Sequence, residues 1–180
     1  MTAEPRPPST RDSDSPRAKE TFLQFIGFRL DGEDYAVAIT KIREIILLKP
    51  ITRVPQAPYD VEGLINLRGD VLPIINLRKR FGLAPRPFDD ETRTIVFTVH
   101  DKTIGCIVDE VTEVMRIASD QIQPVPVSVS VTARQYIDGL AKLGDRLVII
   151  LDLDNLFDPA GLGLQTPLSA PSIRLSESAT

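Results

Sequence analysis

The sequence has little of the chemistry that enzyme and metal sites usually need. Its 180 residues include one cysteine, one histidine and no tryptophan. A single cysteine excludes an internal disulfide, and one cysteine with one histidine cannot supply the ligands of an ordinary zinc site. His100 lies beside Asp101 in a predicted turn, and Cys106 lies within an apolar strand pattern. We therefore expect a solvated imidazole, a buried and inert thiol, and no metal or other cofactor.

Positive charge, aromatic residues and long apolar runs are also scarce. The formal net charge is −4 and aromatic residues make up 6% of the chain. A basic surface would be needed to bind nucleic acid or an anionic membrane, so neither is a predicted partner. No apolar stretch approaches the roughly 18 residues that span a bilayer, and the N-terminus lacks the apolar core of a signal peptide. We expect a cytoplasmic protein that reaches any membrane through partners.

Motifs for nucleotide binding or nucleophilic catalysis are missing as well. Gly161-Leu-Gly163 lacks the preceding strand and following helix of a dinucleotide fingerprint, and no P-loop or G-x-S-x-G elbow occurs. The remaining enzyme hypothesis is an acid–base hydrolase that uses Asp109, Glu110 or Asp152. Helix capping and solvation explain these carboxylates more simply, so we predict no enzymatic activity.

The two ends of the chain differ in composition from its middle. Residues 1–20 are rich in Pro, Ser, Arg and Asp and have almost nothing to bury, which is typical of a disordered tail. Residues 161–180 look similar and are predicted to form a flexible tail. The folded domain is therefore expected within residues 21–160.

Strand and hairpin signals dominate that middle region. Asp31-Gly32 and Gly144-Asp145 are expected hairpin turns. One helical turn is predicted near Ile39 to Lys41, and a short helix over Leu77 to Phe81 should expose the arginines and lysine at positions 78–80. A closing helix should follow an N-cap at Asp152. Strands are predicted over residues 21–30, 34–38, 94–99, 103–108, 111–115, 136–140 and 147–151.

Residues 61–78, VEGLINLRGDVLPIINLR, form the most informative stretch. Two apolar runs flank Gly69-Asp70, which predicts a hairpin with its turn at these two residues, so that Arg68 pairs with Val71. One face of this hairpin is purely apolar and suits a core; it carries Ile65, Leu67, Leu72 and Ile74. The other face is mixed and suits a docking surface; it carries Asn66, Arg68, Val71, Pro73 and Ile75.

Two segments of the first half recur in the second half in the same order. YAVAITKIREII, from Tyr35, matches IGCIVDEVTEVM, from Ile104, without a gap. GLINLRGDVLPII, from Gly63, matches GLAKLGDRLVII, from Gly139, with one residue deleted. The alternative is that any two amphipathic strands resemble each other. We interpret the matches as two related all-β units, which at this size avoid exposed edges by closing into barrels.

Several of these motifs resemble the CheW family of bacterial chemotaxis adaptors. They are IREI at residues 42–45, GLINLRG at 63–69, PIINLR at 73–78, VDEV at 108–111 and YIDGL at 136–140. The resemblance implies an all-β fold of two SH3-like five-stranded barrels on a shared hydrophobic core, with short helices and a C-terminal helix. Consecutive barrels would occupy residues 21–83 and 92–157, and an intertwined arrangement is the alternative. Long polar tails and Asn76, where the family often has Asp, are departures from the pattern.

The same resemblance implies a non-catalytic adaptor within a larger signalling array. Such proteins couple the cytoplasmic tips of methyl-accepting chemoreceptors to the regulatory domain of the CheA histidine kinase. A groove between the barrels is expected to bind the receptor, and the second barrel to bind the kinase. The alternative is a CheW-like adaptor of a non-flagellar array, such as one for pilus motility or another kinase pathway.

The predicted docking residues are Ile42, Glu44, Asn66, Arg68 and Val71. Arg68 is expected to donate charge-assisted hydrogen bonds to a receptor helix, while Ile42 buries that helix's apolar stripe. Alternatively, Arg68 braces its own hairpin by pairing with Asp70 or Glu44, and Glu44 is an ordinary surface residue. The predicted structural turn residues are Gly63, Gly69, Asp70, Gly139 and Gly144.

Overall fold

The computed structural model describes residues 19–157. Of the tails predicted at 1–20 and 161–180, all but residues 19 and 20 lie outside the described residues. The predicted strands are confirmed along most of the described range, whereas the two-residue strand Ile122–Gln123 and the short helix Val131–Arg134 were not predicted. Short 3₁₀ turns occur at Ile39–Lys41 and Ser119–Gln121. The strands are β1 (Phe22–Leu30), β2 (Glu33–Ala38), β3 (Ile42–Leu47), β4 (Val61–Leu67), β5 (Asp70–Asn76), β6 (Arg93–Val99), β7 (Lys102–Val108), β8 (Glu110–Ala118), β9 (Ile122–Gln123), β10 (Ile137–Leu143) and β11 (Arg146–Leu151), and the helices are α1 (Leu77–Arg80), α2 (Val131–Arg134) and α3 (Leu153–Leu156).

The strands form two sheets, which are the two predicted SH3-like barrels. The first barrel has five strands in the order β3-β6-β7-β5-β4. The second has six in the order β8-β1-β2-β11-β10-β9, because the two-residue β9 adds a strand at one edge. Neighbouring strands are antiparallel except for the β5–β7 and β2–β11 pairs. The all-β prediction is confirmed.

Strands are exchanged between the two halves of the chain. β1 and β2 belong to the barrel that also contains β8 to β11, whereas β3 to β7 form the other barrel. The predicted division into residues 21–83 and 92–157 therefore does not coincide with the sheets. It fails because the chain leaves one barrel after β2, at the Ile39–Lys41 turn, and returns after β7. We call β3 and β8 the crossover strands.

The repeat seen in the sequence is visible in the strand pairing. The first repeat aligns Ala36 with Gly105. Ala36 pairs in parallel with Ile150, and Gly105 pairs in parallel with Ile74. Ile150 and Ile74 occupy equivalent places in the two repeated hairpins, so both halves use the same pairing scheme.

The two hairpins match residue for residue, which corrects the predicted deletion. Gly63 pairs with Ile74 and Gly139 pairs with Ile150, so each pair encloses the same length of chain. A bulge precedes each of these glycines. With this alignment Gly144 stands at the position of Arg68, and no residue is missing from the second hairpin.

Three apolar clusters hold the barrels together. The largest lies between the barrels and takes residues from both sheets, including Phe28, Phe97, Cys106 and Phe157. A smaller cluster fills each barrel, around Ile65 and Leu72 in the first and around Phe25 and Val148 in the second. The large cluster is the shared hydrophobic core that was predicted.

The arginines of α1 are buried, contrary to the prediction that this helix exposes them. Arg78 is 8% exposed and Arg80 is 6% exposed. Arg80 donates from Nη1 to Asp60 Oδ2 at 2.9 Å and from Nη2 to the Leu156 carbonyl at 2.8 Å. Local sequence rules treat a run of basic residues as a solvated face, but α1 lies between elements that supply acceptors for each guanidinium.

Candidate functional site

The β4–β5 hairpin turns one residue earlier than predicted. Leu67 pairs with Asp70, so Arg68 and Gly69 are the two central residues, with φ of 52° and 92°. Positive φ at both positions is the pattern of a type I′ turn, whose twist matches the flanking strands. Asn66 Oδ1 accepts a hydrogen bond from the Gly69 N–H at 2.9 Å and closes the turn. Asp70 is therefore the first residue of β5 rather than a turn residue.

Moving the turn leaves the two faces of the hairpin unchanged. Ile65 pairs with Leu72 instead of Ile74, a change of two positions, and side chains two apart share a face. Ile65, Leu67, Leu72 and Ile74 are all buried in the first barrel, as predicted. On the mixed face Ile75 is buried, whereas Val71 is 62% exposed.

The tip of this hairpin is tied to crossover strand β3. The Arg68 guanidinium contacts the Glu44 carboxylate, and Arg43 Nη2 lies 3.4 Å from Asp70 Oδ2. The Glu44 side chain is 21% exposed, whereas that of Arg68 is 68% exposed. The contact with Glu44 that was considered as an alternative role for Arg68 is therefore present in the structure, and most of the Arg68 side chain still faces solvent.

The second barrel has a counterpart of this contact. Arg146 Nη2 lies 2.7 Å from Glu113 Oε1, and Glu113 is the repeat equivalent of Glu44. The arginine stands in a different place, at the first position of β11 rather than in the turn. The two hairpin tips thus share a brace, but only the first has a guanidinium in its turn.

Apolar side chains on the two crossover strands form the second part of the candidate site. Ile42 is half-buried against the shared core, and so is its repeat equivalent Val111. Their neighbours Ile45 and Val114, also repeat equivalents, are exposed by 38% and 56%. We call Ile42, Ile45, Val111 and Val114 the crossover residues. The sequence comparison indicated Ile42 but missed the other three.

A groove runs along the mixed face of the β4–β5 hairpin. We call it the first groove; its volume is about 910 Å³. One wall is the proline-rich loop at residues 54–58, and the opposite wall is the start of β7. Val71, Gly69 and Asp70 line it, together with Val61, Leu64, Leu72, Pro73, Ile75, Lys102, Thr103 and Ile104.

The predicted docking residues are therefore distributed over three places. Val71 lines the first groove, Glu44 and Arg68 form the contact at the hairpin tip, and Ile42 is a crossover residue. Asn66 closes the turn of its own hairpin. The structure brings Arg68 and Glu44 together, and it does not place Ile42 among the residues that line the first groove.

Two of the predicted turn glycines lie within strands. Gly63 has φ of 146°, and a Cβ there would lie 2.1 Å from the Thr52 carbonyl oxygen. Gly139 lies in β10, where a Cβ would meet Ile122 Cγ2 at 2.5 Å. Both glycines follow bulges, and the absence of a side chain lets a neighbouring segment of the chain lie close to their backbone. This close approach, rather than turn formation, is their role. Gly69 and Gly144 do lie in turns, with positive φ.

The carboxylates considered for catalysis have structural contacts. Asp109 binds Arg78, Glu110 Oε2 lies 3.4 Å from Arg29 Nη1, and Asp152 accepts from the Asn155 N–H as the N-cap of α3. Burial by itself would raise the pKa of Asp109, but hydrogen bonds from Arg78 and the Asp31 N–H outweigh it and hold that pKa below its usual value. Between residues 19 and 157, no three of His, Cys, Asp and Glu are grouped so as to hold a metal ion.

No helix in the described part of the chain is long and apolar enough to cross a membrane. The candidate site has three parts: the hairpin tip with its anchored arginine, the crossover residues, and the first groove. Exposed apolar side chains beside charged groups are typical of protein-binding surfaces.

The sequence of this chain is similar to those of known proteins. The family model of the CheW-like domain matches residues 24–160. Chemotaxis protein CheW of Helicobacter pylori is 42% identical over 139 residues, which cover 76% of this chain and 82% of that protein. Chemotaxis protein CheW of Klebsiella aerogenes is 33% identical over 141 residues, covering 78% and 85%.

A solved structure is similar as well. The scaffolding protein TtCheW from Thermoanaerobacter tengcongensis superimposes with a TM-score of 0.71 at 35% sequence identity. The match covers 77% of this chain and 94% of that one. Both the sequence and the paired barrels are thus similar to those of chemotaxis scaffold proteins.

Proposed function

Because this chain belongs to the CheW-like family, we propose that it is a non-catalytic adaptor of bacterial chemotaxis that couples methyl-accepting chemoreceptors to a CheA-type histidine kinase. Its relatives include chemotaxis proteins and a scaffolding protein. In this proposal the protein acts in the cytoplasm and joins membrane receptor arrays through its partners.

The receptor is proposed to dock on the crossover residues and the adjoining tip of the β4–β5 hairpin. The cytoplasmic tip of a receptor is helical, and an amphipathic helix needs an apolar seat with charged groups at its rim. Ile45 and Val114 supply exposed apolar side chains, and Ile42, on the same strand as Ile45, is half-buried against the shared core. Arg68 supplies a charged donor that is already held in place by Glu44.

The kinase regulatory domain is proposed to dock on the second barrel. The exposed Leu147 stands at the place that Val71 occupies in the first hairpin, and Arg146 lies beside it. This hairpin has the same length and bulge as the first. Two similar but unequal hairpin tips suit an adaptor that must bind two different partners at once.

The observation that carries the receptor assignment is the exposure of Arg68. An arginine whose only role is to brace a hairpin gains little from facing solvent, because an exposed ion pair contributes at most about 1 kcal/mol. Arg68 holds positive φ in the turn and keeps 68% of its side chain exposed while Glu44 fixes one edge of the guanidinium. This geometry lowers the entropy that the side chain loses on binding a partner.

The first test compares Arg68→Ala with Arg146→Ala, its matched control in the second barrel. We expect Arg68→Ala to weaken binding to receptor-containing membranes about tenfold, as loss of a charge-assisted hydrogen bond of roughly 1.5 kcal/mol would do. Arg146→Ala should leave receptor binding unchanged. Circular dichroism and the melting temperature verify that both variants fold. Unchanged receptor binding and kinase activation by folded Arg68→Ala would contradict the docking role.

A second variant separates docking from bracing. Glu44→Gln removes the charge of the brace but keeps the Arg68 guanidinium. If Arg68 acts by docking, Glu44→Gln retains most of the receptor affinity that Arg68→Ala loses. Equal losses in the two variants would show that the brace alone matters.

A further inference from the structure

Helix α3 is the repeat equivalent of α1. The N-cap residue Asn76 donates its N–H to the Asp60 carbonyl at 2.8 Å, and the N-cap residue Asp152 donates its N–H to the Tyr136 carbonyl at 2.9 Å. These two acceptors stand immediately before the two repeated hairpins. Counted from the caps, the second residue of α1 is an arginine, whereas the second residue of α3 is an aspartate.

Arg78, the second residue of α1, connects the two barrels. Helix α1 follows β5 of the first barrel. The Arg78 guanidinium contacts Asp31, in the β1–β2 turn of the second barrel, and Asp109, which leads into crossover strand β8. We call Arg78, Asp31 and Asp109 the first latch. The side chains of Arg78 and Asp109 are each 10% exposed, so the central ion pair of this latch is almost fully buried.

Asp154, the second residue of α3, makes the equivalent connection with the charges reversed. Helix α3 follows β11 of the second barrel. The Asp154 carboxylate oxygens lie 2.9 and 3.0 Å from Nζ of Lys41, which leads into crossover strand β3. The Asp154 carbonyl accepts a hydrogen bond from Nε2 of His100, 3.0 Å away in the β6–β7 turn of the first barrel. We call Asp154, Lys41 and His100 the second latch.

The partners of the two helices also follow the repeat. Extension of the first repeat places Asp31 opposite His100, and each begins a two-residue turn with positive φ. The same alignment places Lys41 opposite the residue that follows Asp109. Each latch therefore joins a helix of one barrel to a turn of the other barrel and to the start of a crossover strand.

The two latches differ in burial. The side chains of Lys41 and Asp154 are 38% and 45% exposed, and an ion pair this exposed contributes little to stability. The barrels should therefore stay folded without it, because the shared core and the first latch remain. The segment that the second latch contacts is weakly fixed by other means. No residue of the Ile39–Lys41 turn is fully buried, and the turn has no side-chain cap.

We propose that the ion pair of Asp154 with Lys41 positions Ile42 among the crossover residues. Lys41 directly precedes Ile42, whose N–H donates to the Ile39 carbonyl and closes the turn. The contact of Lys41 with both carboxylate oxygens therefore fixes where Ile42 enters β3 relative to the second barrel, to which crossover strand β8 belongs. Lys41 and Asp154 are positioning residues, and their link to receptor binding rests on the proposed function.

Amide hydrogen exchange, followed by NMR in the full-length chain, tests the positioning without a partner. Lys41→Glu and Asp154→Lys each oppose like charges, so we expect the Ile42 amide to exchange about fivefold faster in either variant. The double variant restores opposite charges with the polarity of the first latch and should return this exchange to the wild-type rate. The Ile122 amide closes the other 3₁₀ turn, at Ser119–Gln121, and should not change in any variant.

A milder variant keeps the test valid if charge reversal disturbs the fold. Asp154→Asn removes the ion pair without opposing like charges and should accelerate exchange of the Ile42 amide to a smaller extent, with the Ile122 amide unchanged. Circular dichroism verifies that each variant folds. Wild-type exchange of Ile42 in all the single variants, or exchange in the double variant as fast as in the charge reversals, would overturn the proposal.

Binding to receptor-containing membranes, measured with the same variants, tests the link to function. The two charge reversals should bind about fivefold more weakly, and the double variant should bind as wild type, which excludes a direct contact of Lys41 with the receptor as the cause. Arg146→Glu makes the same change of charge at a similarly exposed pair and should bind as wild type. Faster exchange of the Ile42 amide with unchanged binding of every variant would support the positioning and contradict the docking role proposed for Ile42.

Discussion

Arg78 holds both oxygens of Asp109 in a bidentate contact, with Nε 2.7 Å from Oδ1 and Nη2 2.8 Å from Oδ2. Asp109 Oδ2 also accepts the N–H of Asp31 at 2.9 Å, and Arg78 Nη2 reaches Asp31 Oδ1 at 3.2 Å. Asp109 joins β7 to crossover strand β8, Arg78 belongs to α1, and Asp31 lies in the β1–β2 turn. One ion pair therefore links elements of both barrels and holds them in a single arrangement.

Removal of the Asp109 charge should destabilise the protein strongly. In Asp109→Asn the guanidinium of Arg78, which is almost fully buried, loses its main charged partner, so we expect a loss of about 3 kcal/mol in the free energy of unfolding. Urea denaturation measures this loss in the free energy of unfolding. Glu113→Gln, which breaks the exposed pair with Arg146, is the control and should cost at most about 1 kcal/mol. Similar losses in the two variants would refute the role given to Asp109.

The same pair predicts how stability depends on pH. The folded-state pKa of Asp109 lies below its ordinary value of 3.8, so the unfolded chain takes up the proton first as pH falls. The contribution of Asp109 to the free energy of unfolding is complete at pH values above that ordinary pKa. It is lost as the pH falls through the lower folded-state pKa. The stability difference between wild type and Asp109→Asn, measured by urea denaturation from pH 7 downward, should therefore shrink below about pH 4. A difference independent of pH would be inconsistent with this linkage.

Gly63 should tolerate a side chain far less well than a turn glycine. A Cβ at Gly63 would lie 2.1 Å from a backbone oxygen of Thr52, which cannot move without breaking the pairing of that residue with Leu64. Gly63→Ala should cost more than about 2 kcal/mol, because overpacking adds to backbone strain. Gly32→Ala is the control, since Gly32 also has positive φ but no atom within 4 Å of an added Cβ. Thermal unfolding followed by circular dichroism compares them, and equal losses would exclude the contact as the cause.

Cys106 should be inert in the folded protein. It is fully buried in the shared core, and desolvation raises the pKa of its thiol far above the usual value. A thiol reagent at pH 8 should therefore modify the denatured chain quickly and the native chain only through rare opening. Mass spectrometry follows the adduct with time. Rapid modification of native protein would show that the core opens more often than its packing indicates.

The β4–β5 hairpin shows how far sequence patterns reach. Alternation of apolar and polar residues predicted which side chains share a face, and this survived a one-residue error in the turn. The error arose because Arg68-Gly69 and Gly69-Asp70 both contain a glycine able to adopt positive φ. The structure closes the turn at Arg68-Gly69, where Asn66 accepts the Gly69 N–H. The residue types by themselves do not show which of these two pairs forms the turn.

The burial of the α1 arginines could not be predicted from the neighbouring sequence. A basic run at residues 78–80 is ordinarily a solvated face, and nothing nearby in the sequence contradicts that. The carboxylates that accept from Arg78 and Arg80 are Asp109 and Asp60, which are 31 and 20 residues away. A pattern based on neighbouring residues cannot detect an ion pair between residues so far apart in the chain.

The sequence by itself determined the all-β class, the hairpins, the faces of the strands and the twofold repeat, because strand periodicity and turn chemistry act over a few residues. Tertiary structure decided that β1 and β2 join β8 to β11 while β6 and β7 join β3 to β5, and it decided the burial of the arginines and the existence of the first groove. These features depend on pairings such as Phe25 with Met115, between segments far apart in the chain. Such pairings are selected by packing of the whole core, and a single sequence does not reveal which of several matching strands will meet.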